Sequence, residues 1–182
     1  MFGVEFVIGW LASSVALQAD SLDMLGDTLV YGFSLFALMR SDRWKASAAL
    51  LKGVIMAAFG FGVLGEAAYK LMYGGAPEAL LMGGTATVAL AANAVCLFLL
   101  TRHRNDDLNM RSTWLCSRND IIANTGVILA AGSVYLTTSK LPDIVISLII
   151  TYLFLRSAWY VLRAALAELR SEKGAAQPGA IV

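Results

Sequence analysis

The stretch ADSLDMLGDTLVYGFSLFALMR, Ala19–Arg40, combines two properties that conflict. Together with Val15–Gln18 before it, it is apolar enough to lie in a bilayer, yet Asp20, Asp23 and Asp27 sit in its first half. Lone carboxylates are among the most expensive groups to place in hydrocarbon. What surrounds the stretch in the chain fixes how those aspartates are to be read.

The chain has 182 residues, of which 58% are hydrophobic and only 15% charged. Its mean hydropathy is +0.68. A soluble globular chain is nearer 45–50% apolar and about 25% charged on average. The net charge of +1 hides segregated rather than missing charge. No basic face of the kind that nucleic acid requires is spread along the sequence. Both cysteines, Cys96 and Cys116, fall inside apolar segments, which argues against a disulfide framework. The start is not basic and the apolar character recurs along the whole chain, so no secretory signal is read.

A spanning helix needs roughly 20 mostly apolar residues. Five segments qualify: 15–39, 46–73, 79–100, 110–137 and 142–166. A sixth, Met1–Leu11, is too short to span alone and is read as a short or truncated first helix. The connections are short, which predicts one compact six-helix transmembrane bundle over 1–170, all-α and with no soluble domain. The end, SEKGAAQPGAIV, has the composition of a flexible tail, 171–182. Arg40, Arg43 and Lys45 flank one connection; Arg102, Arg104 and Arg111 flank another; Arg163, Arg170 and Lys173 precede the tail. The alternate side has only Lys70 and Lys140. The excess of Lys and Arg puts the first set in the cytoplasm, and with it both termini. The expected location is a bacterial inner (plasma) membrane.

At 3.6 residues per turn, Asp23 and Asp27 stack on one helix face, and Asp20 falls close to it. In WLCSRNDIIANTGVILAA, Cys116, Asp120 and Asn124 are spaced by four and form a second stripe, with Asn119 at its edge. Facing each other, the two helices would offer Asp23, Asp27, Cys116 and Asp120 as a four-ligand set. Tetrahedral sites with sulfur and oxygen donors suit zinc, and a thiolate tilts the preference to zinc, cadmium or cobalt over magnesium or calcium. A divalent cation would offset the charge that makes the aspartates costly. With no metal bound, protons can do so. A site that alternates between metal and protons has the chemistry of an exchanger. The competing reading pairs these carboxylates with Arg118, Lys52 or Arg156 as structural ion pairs. Asp20, one turn nearer the outer surface, is read as a pathway residue. His103, in a loop beside Asp106 and Asp107, is read as solvated first and as a weak metal collector second. Glycines 60, 62 and 65 of GFGVLG are expected to allow close helix packing, and Asn93 to bond between helices.

These motifs resemble the cation diffusion facilitator family of metal exporters over nearly the whole chain. GWLASSVALQADSLDMLGD is similar to that family's second-helix pattern of His or Asp, three residues, then Asp, on which Asp23 and Asp27 fall. CSRNDIIANTGVILAA is similar to its fifth helix, usually His, three residues, Asp, then a glycine six further on. Asp120 and Gly126 match, and Cys116 stands in place of the histidine. LPDIVISLIITYLFLRSAW is similar to the sixth helix, which often opens Asp-Pro; here the order is Pro142-Asp143. The resemblance implies a six-helix fold, a homodimer, and export of zinc or a related divalent metal by proton antiport with alternating access. It also implies a cytoplasmic ferredoxin-like domain after the sixth helix. The sequence is therefore read as a short form without it, dimerising through membrane helices. No prosthetic group is implied beyond the transported metal and protons, and no nucleophile–base pair suggests an enzyme. The alternative function is a non-transporting metal sensor or assembly partner.

Overall fold

The computed structural model describes residues 1–37, 42–102 and 108–175. Among these described residues six helices follow one another: α1 (Phe2–Leu11), α2 (Val15–Ala37), α3 (Asp42–Tyr73), α4 (Ala79–Thr101), α5 (Leu108–Thr137) and α6 (Leu141–Ala175). No strand occurs among the described residues. The expected six-helix, all-α architecture is the observed one. The last helix continues through residues 171–175 of the expected tail, while 176–182 lie outside the described residues, as does His103.

Among the described residues, four stretches are long and apolar enough to cross a membrane: Ala46–Tyr73, Ala79–Thr101, Ser117–Thr137 and Leu141–Leu169. The segment at 15–37 does not reach that standard on composition, because three aspartates fall within eight residues of it. At about 1.5 Å per residue, the 32 residues of α3 and the 35 of α6 exceed a hydrocarbon core of about 30 Å. Their charged ends account for the excess, with Arg43 and Lys45 on α3 and Arg163 and Arg170 on α6. Large apolar side chains cover the outside of the bundle; Leu136 is 82% exposed and Phe98 75%. Such a surface belongs against lipid.

The most extensive helix pairs are α3 with α6 and α4 with α5, and α2 packs against α1, α3, α5 and α6. That central place explains why residues 14–22 are buried without a break. Val15, Leu17 and Leu22 join Val63, Met82, Val127 and Ile150 in the main core, with contributions from five helices. A smaller cluster of Met56, Phe154 and Ala158 seals α3 against α6. Close approach there depends on glycine. A Cβ on Gly53 would lie 2.7 Å from the Leu162 side chain, and one on Gly60 would collide with Leu155. Gly62 and Gly65 face open space, so of the three glycines in GFGVLG only Gly60 serves helix packing.

Three connections meet at one end of the bundle, called here the turn end. The Glu78 amide donates to the Ala12 carbonyl at 2.9 Å, and Lys140 Nζ donates to the Gly74 carbonyl at 2.7 Å. Asp143, in the first turn of α6, reaches the start of α2. Its carboxylate accepts from Ser14 Oγ (2.7 Å), the Val15 amide (2.9 Å) and the Ala16 amide (3.1 Å). Ser14 Oγ in turn accepts from the Leu17 amide at 3.1 Å. The first amides of a helix have no partner within it, and here one carboxylate and one hydroxyl take three of them. A negative group at that position also matches the positive end of the helix dipole.

Asp143→Ala leaves three buried donors without an acceptor and should destabilise the bundle by about 3 kcal/mol, read as a lower thermal midpoint in detergent; Asp143→Asn should fall between. Gly60→Leu should destabilise by about 1–3 kcal/mol through overpacking. Gly62→Leu, two residues away, should change stability by less than about 0.5 kcal/mol. Equal effects of the two leucines would contradict the packing described.

Candidate metal site

The stripe on α2 forms as its spacing predicts. Asp20 is fully buried, whereas Asp23 and Asp27 are half-buried one and two turns further from the turn end. Asp120 on α5 is also half-buried. The charges of these groups act on one another across the two helices: Asp27 acts on both Asp23 and Asp120, and Asp120 acts on Asp20 and Asp23. The backbone of Cys116 is part of α5, one turn before Asp120, but its side chain lies outside the described residues.

A cavity of about 680 Å³ lies between α2, α5 and α6. Asp23, Asp27 and Asn119 give it a polar edge, and isoleucines of α5 and α6 form much of the remaining wall. It runs from Ile146, near the turn end, down to Arg156 and Tyr160 towards the opposite end. Gly126 lines it too, where an added Cβ would meet Ile146 only at an ordinary 3.6 Å. That glycine widens the cavity and is not required for helix contact. Asn124, fully buried on the Asp120 stripe, donates its Nδ2 to the Asp120 carbonyl at 2.8 Å. Asn124 Oδ1 is buried without a hydrogen-bond partner, as is Asp120 Oδ1.

Three aspartates of the expected set are thus within electrostatic reach of one another, two of them on the edge of a shared cavity. They do not form a closed cage: among the described residues no three His, Cys, Asp or Glu side chains converge on one metal position. Helices α2 and α5 touch over a small area, and the cavity occupies part of the space between them. Arg118 lies over the Trp114 ring at 5.6 Å, and Arg156 lines the cavity; neither forms an ion pair with a described residue.

Elsewhere in the bundle, Glu66 accepts from Gln18 at 3.0 Å and pairs with Lys70 at 2.8 Å. Asn93 has a buried Nδ2 with no hydrogen-bond partner, which does not support the interhelical bond expected of it. Cys96 is free and exposed on α4. Two further carboxylates are buried, Glu5 and Asp143, each at most 1% exposed; the sequence offers Asp143 only as part of the motif that opens α6. Glu5 had a legible signal, being the sole charge in the apolar segment Met1–Leu11.

A half-buried set of carboxylates on two facing helices, with a cavity beside it, is a place where a cation would be favoured over water. Comparison with known proteins agrees with that chemistry. The sequence matches the cation efflux transmembrane domain over residues 1–170. It is 30% identical over 180 residues to the zinc transporter ZitB of Escherichia coli, covering 91% of this chain and 57% of that protein. It is 24% identical to the cation efflux system protein CzcD of an Alcaligenes species (89% of this chain, 55% of that protein). It is equally 24% identical to the cadmium, cobalt and zinc/H(+)-K(+) antiporter of Bacillus velezensis (88% and 56%). The chain therefore spans little more than half the length of the curated relatives it matches. With the family domain matched over nearly its whole length, and with six helices that place acidic residues inside an apolar bundle, this chain belongs to the cation efflux family.

Proposed function

We propose that the chain forms the membrane part of a divalent metal exporter, moving zinc first, with cadmium or cobalt as further cargo, in exchange for protons. The observation that carries this reading is the placement of Asp23, Asp27 and Asp120 within electrostatic reach across α2 and α5, beside the 680 Å³ cavity. Names of the relatives support it, one being called a zinc transporter and another a cadmium, cobalt and zinc/H(+)-K(+) antiporter.

In this reading Asp23, Asp27, Cys116 and Asp120 hold the metal, with Asn119 and Asn124 beside them as neutral oxygen donors and Asp20 further along the path. The carboxylates hold metal in one phase of the cycle and protons in the other. Metal ligands must be deprotonated, so binding a divalent cation releases protons. The excess of Lys and Arg at the end opposite the turns puts that end in the cytoplasm. The cavity reaches towards that end, which gives metal an inward-facing approach to Asp27 and Asp23. Arg156 within it adds a positive charge that favours a carboxylate-bound, partly neutralised cation over free passage. Pairing of two chains through membrane helices is part of the same proposal, as are the bacterial inner membrane and cytoplasmic termini. His103 would collect metal only weakly at the entrance.

Zinc uptake by proteoliposomes containing the purified chain, driven by a proton gradient, tests the function. Asp27→Ala and Asp120→Ala should each lower uptake by at least about tenfold; parental rates in both would end the proposal. Flux by this chain alone would also exclude a non-transporting sensor or assembly partner. Zinc affinity should fall as pH falls, because protons compete for the same oxygens. Cys116→His should move selectivity from cadmium towards zinc, since it replaces a soft thiolate by imidazole; unchanged relative rates for the two metals would remove Cys116 from the ligand set.

A further inference from the structure

Among the described residues, the α1–α2 hairpin satisfies its buried polar side chains with two exceptions. Ser14 donates to Asp143, Gln18 Nε2 donates to Glu66, and Ser21 Oγ donates to the Gln18 carbonyl at 2.7 Å. Glu5 on α1 and Asp20 on α2 stand apart. Each is 0% exposed, and none of their four carboxylate oxygens has a hydrogen-bond partner. Fraying does not explain this. The hairpin is closed by the Ala12 amide on the Ile8 carbonyl (2.7 Å) and the Ser14 amide on the Gly9 carbonyl (2.8 Å). At Gly9 the two helices approach so closely that an added Cβ would lie 3.0 Å from Gln18 Cγ.

The two carboxylates interact electrostatically, and each is also coupled to the metal set: Glu5 acts on Asp20 and on Asp120, while Asp23 and Asp120 act on Asp20. The surrounding charges can be named helix by helix. On α1 the Met1 amino group lies one turn from Glu5. On α2 there are Asp23 and Asp27; on α3 there are Glu66 and Lys70, which are paired with each other, and Lys52, buried further from the turn end. The buried face of α4 consists of Met82, Thr85, Ala86 and Ala89. On α5 there is Asp120 beside Asn124. On α6 Asp143 is committed to the α2 amides, and Thr151 Oγ1 is buried without a partner. Acidic groups outnumber basic ones around the pair.

We propose that Glu5 and Asp20 form a proton-holding pair, separate from the metal ligands and coupled to them through the field between Asp20, Asp23 and Asp120. Two enclosed carboxylates require a counter-charge to persist inside an apolar bundle. A metal would need four or more donors, and no third His, Cys, Asp or Glu among the described residues joins these two at a metal position. A proton needs one oxygen. The coupling part rests on the exporter reading above. A divalent cation at Asp23 and Asp120 favours the ionised pair, so one carboxyl O–H bond breaks, its proton leaves to solvent, and the pair gains one negative charge. By linkage the reverse holds, and reprotonation of the pair promotes metal release.

The test uses the full chain in lipid nanodiscs. Infrared spectra of the metal-free protein near neutral pH should contain the carbonyl stretch of un-ionised carboxylic acid, diminished by adding zinc. Glu5→Gln should remove part of that band. It should also release about one proton fewer per zinc bound than the parent, measured by calorimetry in buffers of different ionisation enthalpy. Glutamate labelled with ¹³C at its side-chain carboxyl should shift the same part of the band in the unsubstituted chain, which keeps the test valid if the variant folds poorly. A metal-free protein without the band, or a band unmoved by the label, overturns the proton-holding pair. Unchanged proton release in a folded Glu5→Gln protein overturns its coupling to metal. A parent that binds no zinc yet shows a label-sensitive band would instead refute the exporter reading and leave the pair standing.

Discussion

At the turn end, the Asp143 carboxylate takes two backbone amides from the first residues of α2 and the hydroxyl of Ser14 just before it, 127 to 129 positions earlier in the chain. Within a membrane those amides have no water to turn to, so the start of α2 is fixed in depth and rotation by α6. Everything of chemical interest on α2 is measured from that point by helix geometry alone. Asp20, Asp23 and Asp27 fall about one, two and three turns below it. A helix carrying three carboxylates is a poor candidate for spontaneous burial. Its place at the centre of the bundle, touching four others, is held from one end by this cap and along its first half by apolar packing.

The sequence shows the helices well because bilayer thickness imposes a length and apolarity that leave little freedom. The segments at 46–73, 79–100, 110–137 and 142–166 reappear with boundaries shifted by a few residues, except where α6 runs on past 166. The i, i+4 spacing likewise places Asp23 with Asp27, and Asp120 with Asn124, because periodicity within one helix needs no tertiary knowledge.

What was not legible depends on contacts between helices. Pro142-Asp143 can be noticed as a motif, but its service to α2 cannot be read from either segment alone. The three glycines of GFGVLG look alike in sequence; only the phase of α3 against α6 separates Gly60 from Gly62 and Gly65. Glu5 is hard to read for a different reason. Its segment is too short to span, so its apolarity alone does not mark it as a membrane helix in which a lone charge would stand out.

The cap also divides the bundle mechanically. Because one side chain belongs to α6 and its partners to α2, the two helices are pinned at the turn end while the cavity separates them from α5 lower down. The arrangement is a pair of tongs with its rivet on the far side from the Arg-rich ends. Any movement of α2 about such a rivet would be least near the cap and greatest beside Asp27, which lines the cavity. Fully enclosed groups near the rivet would keep their surroundings through such a stroke, whereas Asp27 and Asn119 would exchange theirs.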